Sequence, residues 1–161
     1  MINKNFQKGQ MMIEAMIAIT IATVGLLGIF SLLSGSLSLN RVMGDQVVAA
    51  NLAAEGVELV KNLIDSNVIQ QKPWNLDINP GKFEIDFISD SLSSVQGRYL
   101  NFDLAAGGYS YGVGQPTRFK REIAIEQPTP DEIKVNSAVI WETRGGENFE
   151  VNLEDHFFNW R

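Results

Sequence analysis

The sequence predicts an α+β fold in which one long N-terminal helix, half transmembrane and half amphipathic, packs against a C-terminal antiparallel β-sheet. Three observations carry this expectation. Residues 11–39 contain one charged side chain, Glu14, among Met, Ile, Ala, Val, Leu and Phe with scattered Gly, Ser and Thr. Residues 41–65 contain no proline, and their apolar side chains recur every three or four positions. Beyond Ser66 the period falls to two, with Gly and Pro clustered between the alternating runs. The expected divisions are a short basic segment at 1–9, a transmembrane helix at 10–39, its amphipathic continuation at 40–65 and a globular sheet domain at 66–161.

A helix rises about 1.5 Å per residue and needs about 20 apolar residues to cross a bilayer, so the first run spans with turns to spare. Lys4 and Lys8 precede it, while Arg41 and Asp45 cancel after it, which places the amino terminus in the cytoplasm. In the continuation, Val42, Gln46, Ala49, Ala53, Val57, Val60 and Ile64 form one stripe, leaving Asp45, Glu55, Glu58 and Lys61 on other faces. A continuous helix to Asp65 would be on the order of 80 Å long. Gly25, Gly28, Gly35 and Gly44 interrupt the pattern at up to about 1 kcal/mol each, as close-packing points, as sites of local unwinding or as ordinary membrane-helix glycines.

In Lys8-Gly9-Gln10-Met11-Met12-Ile13-Glu14 the acid is the anomaly, because a carboxylate inside an apolar span is costly unless paired, protonated or near the interface. Glycine, an uncharged residue, glutamate as the fifth residue from Gln10 and then an unbroken apolar helix resemble the leader of type IV pilins and type II secretion pseudopilins. That resemblance implies cleavage between Gly9 and Gln10 by a membrane prepilin peptidase that then methylates the new amino terminus at Gln10. Residues 1–9 would be the removed leader. Gln10 departs from the family, where most members carry Phe or Met. The family also often has a proline within the helix, whereas the first proline here is Pro73. Ala53-Ala54-Glu55-Gly56-Val57-Glu58-Leu59-Val60-Lys61-Asn62 is similar to a phrase of minor pilins of the PilV kind.

The glutamate also has a physical rationale. After cleavage, the amino group of Gln10 would open an apolar helix, and its charge would be buried wherever such helices bundle. Glu14 is its natural partner, either one turn above within the same helix or across to the amino terminus of a staggered neighbour, where it would set assembly register. A signal anchor with a stray interfacial Glu is the plain alternative. An ordinary secretory signal fits less well, because its apolar core is only about 7–15 residues and free of acid, although Ser34-Gly35-Ser36 offers small residues for cleavage.

Further along, Pro73, Trp74 and Pro80 mark a connecting loop that packs through Trp74. Residues 82–88 alternate Phe83, Ile85 and Phe87 against Lys82, Glu84 and Asp86, and residues 98–104 alternate Leu100, Phe102 and Leu104 against Tyr99, Asn101 and Asp103. Residues 119–126, 133–142 and 149–153 give three further strands, with turns at 127–131 and 143–148. Turns this short cannot carry a parallel crossover, so these three form an antiparallel meander covering the helix face of Ala53, Val57 and Val60. Their sequences are loosely similar to the terminal sheet of minor pilins and pseudopilins. Trp141 reads as the core anchor, and Phe157 or Trp160 as a side chain docked at the sheet edge. Gly107-Gly108-Tyr109-Ser110-Tyr111-Gly112-Val113-Gly114 reads as a flexible hairpin tip exposing two tyrosines, with partner contact as the alternative.

The 161 residues carry a formal charge of −6, and loss of Lys4 and Lys8 would make the chain more acidic still, which argues against nucleic acid as a partner. There is no cysteine, hence no disulfide, thiolate metal site or cysteine nucleophile. His156 is the only histidine, the serines at 89–94 lack a nucleophile elbow, and Asp77, Glu84, Asp86 and Asp103 read as a solvated face. Related pseudopilins can bind calcium in a loop, but residues 143–148 lack the required ligand series. No catalytic residue, metal or cofactor is expected. The expected function is a structural subunit, foremost a minor pilin, of a type IV pilus or related filament. It would enter the inner membrane as a prepilin, be cut after Gly9 and join other pilin subunits through its helix at the cell surface. The alternatives are a pseudopilin of a secretion or DNA-uptake system and, from another class, an uncleaved signal-anchored extracytoplasmic binding domain.

Overall fold

The computed structural model of the chain describes residues 4–143 and 145–159, with the backbone alone for residues 4–9. The readings placed on the Lys4 and Lys8 side chains and on Trp160 lie outside the described residues. The chain divides into two compact units, Met1–Met43 and Gly44–Arg161. One helix, α1 (Lys4–Ile69), runs through both. In the first unit every residue from 10 to 41 is exposed, as an all-apolar helix with no neighbour must be.

In the second unit α1 becomes one-sided. Ala49, Leu52, Ala53, Gly56, Val60 and Ile64 are buried. This stripe is rotated from the expected one: Gln46 is exposed, Val57 only half-buried, and Leu52 and Gly56 take the interior. Burial here follows the nearest approach of the sheet rather than apolar character. The helix also continues past Asp65 to Ile69 and ends without glycine. Gln71 takes the left-handed conformation (φ 58°), its amide donates to the Val68 carbonyl (3.1 Å), and the Lys72 amide donates to that of Asn67 (2.9 Å). These two bonds satisfy carbonyls that the last turn leaves open.

The strands are β1 (Gly81–Glu84), β2 (Ser93–Ser94), β3 (Asn101–Asp103), β4 (Gly108–Ser110), β5 (Gln115–Pro116), β6 (Phe119–Thr129), β7 (Glu132–Glu142) and β8 (Asn148–Phe158). They form two sheets instead of the single one expected. The larger has the order β2-β1-β6-β7-β8, antiparallel throughout, and its last three strands are the meander that the short turns imply. The smaller has the order β4-β3-β5. The helix of this unit thus packs on an antiparallel sheet, an α+β layout.

Strand β6 does not stop before Pro128, where a turn was expected. A register shift between Glu126 and Thr129 absorbs the Gln127-Pro128 pair, and a two-residue turn at Pro130-Asp131 follows. Proline is tolerated because β1 pairs only with Ile123–Ile125, leaving no ladder bond for residue 128 to miss on that side. Strand β8 likewise continues past the expected end at residue 153, to Phe158. Phe157 packs against the core, and Trp74 is part of the same cluster.

The glycine-rich segment at 107–114 is ordered rather than a tip. Strand β4 lies within it, and Tyr109 and Tyr111 pack half-buried against the core around Leu100 and Trp141. Gly114, at φ 141°, runs so close to β3 that a Cβ would stand 2.7 Å from the Phe102 carbonyl oxygen. Trp141 is 2% exposed and stacks on Phe149 with centroids 5.7 Å apart, so the anchor assignment holds.

Candidate functional site

The residues singled out in the sequence occupy the first unit. Gly9 and Gln10 are consecutive in the helical backbone, and Glu14 stands one turn beyond Gln10 on the same face, since residues four apart in an α-helix are neighbours. Gln10 and Glu14 are both exposed, and Glu14 makes no ion pair or hydrogen bond with any described residue. The proximity of Gln10 and Glu14 is therefore a consequence of helix geometry alone.

Apart from Gln10, the helix around this acid is apolar: Met11, Met12, Ile13, Met16 and Ile17 are each more than half exposed. Toward the middle, Thr20 and Thr23 donate their hydroxyls to the Met16 and Ile19 carbonyls, both at 2.7 Å. Such back-bonding satisfies the hydroxyl donor within the helix, although both threonines remain on its surface. By length and composition the helix can cross a membrane. Gly25, Gly28, Gly35 and Gly44 face open space, where a Cβ would meet nothing within 4 Å.

No protein-family model, curated protein or solved structure matches this chain.

The second unit holds a buried polar seam that the sequence reading missed. Arg121 is 1% exposed and reaches from β6 to α1, donating to the Leu52 carbonyl (3.0 Å) and, on its other side, to the Ile85 carbonyl (2.6 Å). Its guanidinium lies 3.3 Å from Glu55 Oε1, outside hydrogen-bond alignment, so that contact is electrostatic. Gly56 makes room for it: a Cβ there would collide with Ser137 Oγ and stand 2.7 Å from Ile123 Cδ1 and 3.0 Å from Arg121 Cδ. The signal was present, because Arg121 occupies the inward phase of the Phe119, Ile123, Ile125 alternation. A charge at a core position needs a partner, and Glu55 on the helix supplied one.

Two carboxylates expected on a solvated face are interior. Glu84 is 1% exposed and accepts from the amides of Gln96 (2.9 Å) and Arg98 (3.1 Å) and from Arg98 Nε (2.8 Å). Burial pushes its pKa up, but these donors outweigh burial and hold it below the ordinary value. Asp86 behaves alike: burial is outweighed by the Ser89 hydroxyl and the Tyr111, Ile88 and Ser89 amides. Alternation fails here because β1 ends at Glu84, after which the chain turns and Phe87 and Ile88 face outward. Tyr111, whose hydroxyl donates to the Arg121 carbonyl at 3.1 Å, is pushed up to about 12 by burial. Glu84, Asp86 and Tyr111 are thus hydrogen-bonded into the fold. Among the described residues no group of three or more His, Asp and Glu is placed to hold a metal ion. The second unit offers structural polar bonds, whereas the first offers an open apolar surface with one acid.

Proposed function

We propose that the chain is a structural subunit of a type IV pilus or related filament, with a minor pilin as the foremost assignment. The observation that carries this is the Gly9-Gln10 step one helical turn before Glu14, at the head of an apolar helix whose whole circumference from residue 10 to 41 is uncovered. In this reading the prepilin lies in the inner membrane with its amino terminus in the cytoplasm, and a prepilin peptidase removes residues 1–9 and methylates Gln10. The new ammonium adds to the positive end of the helix dipole, and Glu14 neutralises it within the subunit or across to a neighbour. Burial of the apolar helix against other subunits supplies the association energy, and the Glu14 pairing sets register. The acidic second unit then faces outward.

The test is intact mass and amino-terminal sequence of the protein from membrane and sheared surface fractions of its host, beside a Glu14→Ala version. The expected result is a chain beginning at methylated Gln10 in the sheared fraction, lost from it in the variant. A chain still beginning at Met1, confined to membranes and indifferent to Glu14, would overturn the reading and leave an anchored binding domain.

A further inference from the structure

The larger sheet has two unequal edges. At one end β2 is two residues long, too short to template another strand. At the other, β8 runs 11 residues and pairs in continuous register with β7 from Asn148 opposite Glu142 to Phe158 opposite Glu132. It contains no proline, glycine, lysine or register shift, and the charges that guard it, Glu150, Glu154 and Asp155, are all acidic.

The hydrogen bonds at its two ends fix which backbone groups face out. Thr143 donates to the Glu147 carbonyl and Asn159 to the Asp131 carbonyl, both at 2.9 Å, so odd-numbered residues of β8 turn their amides and carbonyls toward β7. In an antiparallel ladder the even-numbered ones then point away. At one of these, His156, the amide already donates to the Asp155 carboxylate at 2.8 Å, which closes that end. The open ladder is therefore Asn148, Glu150, Asn152 and Glu154, whose outward backbone groups bond to no described residue.

Side chains say what would fit. Glu150 makes no ion pair with any described residue, whereas Glu154 lies 3.0 Å from Lys134, which it shares with Glu126, and 3.2 Å from His156 Nε2, so Glu150 carries the open charge. Among the described residues of β8 there is neither lysine nor arginine. On the inner face Leu153 remains 38% exposed beside Val151. A second copy pairing about Asn152 would set Glu150 opposite Glu154 on both sides, and like charges directly opposite are unfavourable.

We propose that the β8 edge at residues 148–154 is a docking site for an extended basic strand of another protein. That strand adds to the sheet antiparallel or parallel, with alternate Lys or Arg beside Glu150 and Glu154 and apolar side chains over Leu153. Main-chain bonds supply the adhesion and the acidic face selects the charge. The site belongs to the second unit and does not depend on the filament reading.

The test uses the full chain in uncharged maltoside micelles and two labelled peptides of about 9 residues, one alternating Lys and Val, the other Glu and Val. Expected are binding of the Lys-Val peptide at least about tenfold tighter than the Glu-Val one and slowed hydrogen exchange at the amides of Asn148, Glu150, Asn152 and Glu154. Asn152→Pro deletes an outward amide that the fold itself does not use, and Glu150→Lys reverses the selecting charge. Each should weaken the Lys-Val peptide by about tenfold with the β7–β8 amides still protected; should Asn152→Pro disturb the fold, Glu150→Lys decides. Equal affinity for the two peptides, protection at other amides, or undiminished binding by Glu150→Lys would overturn the proposal. So would protection of the same four amides that grows with protein concentration alone, because the occupant would then be a second copy.

Discussion

Gly56 and Arg121 show how one residue's absence of side chain and another's excess of it fit together. The guanidinium reaches the backbone carbonyls of Leu52 and Ile85, and the helix presents no Cβ where Ser137, Ile123 and the Arg121 stem crowd against it. Gly56→Ala is expected to destabilise the second unit by about 1–3 kcal/mol, the range for overfilling a packed site, read as a lower denaturation midpoint by tryptophan fluorescence in micelles. Arg121→Met nearly keeps the volume but removes the donor to the Leu52 and Ile85 carbonyls and the positive charge beside Glu55. Glu55 is about one-third exposed and recovers water, so the expected loss is about 2 kcal/mol rather than the full cost of an orphaned buried charge. An unchanged midpoint in either variant would show that the seam contributes nothing.

Among the elements, the helix terminus is the plainest case of a local conformation chosen against preference. Gln71 adopts a left-handed backbone that glycine adopts without steric cost, held there by the Lys72 and Gln71 amides. Gln71→Gly is expected to raise stability by about 0.5 kcal/mol, the strain relieved less the added freedom of the unfolded chain. Denaturant titration of the full chain checks this, and a lower midpoint would mean that the glutamine side chain contributes to the cap. At β6 and β8 the strands outrun their sequence signals for separate reasons. Pro128 is accommodated by a register shift beside an unpaired stretch. The Glu154-Asp155-His156 run is held in the ladder by its partners on β7, including Glu132, whose carboxylate lies 2.7 Å from His156 Nδ1. Neither cause is visible in a window of one strand, because both depend on the neighbour.

For the whole molecule, the titrating groups give stability a pH dependence with two arms. Glu84 and Asp86 have pKa values below their ordinary 4.5 and 3.8, so the unfolded chain binds protons first as pH falls. Their contribution is present above those ordinary values and is lost as pH falls through the folded ones. His156 acts in the opposite sense: its bonds to Glu132 and Glu154 raise its pKa above 6.5, so its contribution is full below 6.5 and fades as pH rises through the folded value. The denaturation midpoint of the full chain is expected to drop below about pH 4 and to decline gently as pH rises from 6.5 through the raised pKa of His156. His156→Gln should remove the second decline. Persistence of that decline in the variant would assign it to another group.

The sequence by itself determined the features whose physics is local or periodic. A proline-free apolar run can only be a long helix, Glu14 is anomalous in any setting, and strict alternation with short turns makes an antiparallel meander anchored at Trp141. What required the chain to fold in three dimensions was which face of the helix met the sheet, which acids went inside, and that 101–116 closes into a sheet of its own. Those outcomes turn on side chains distant in sequence: Arg121 reaching Leu52 and Ile85, Arg98 reaching Glu84, and the Tyr111 amide reaching Asp86. A buried polar group goes wherever its hydrogen bonds can be completed, and residues far along the chain, not the local pattern, complete them.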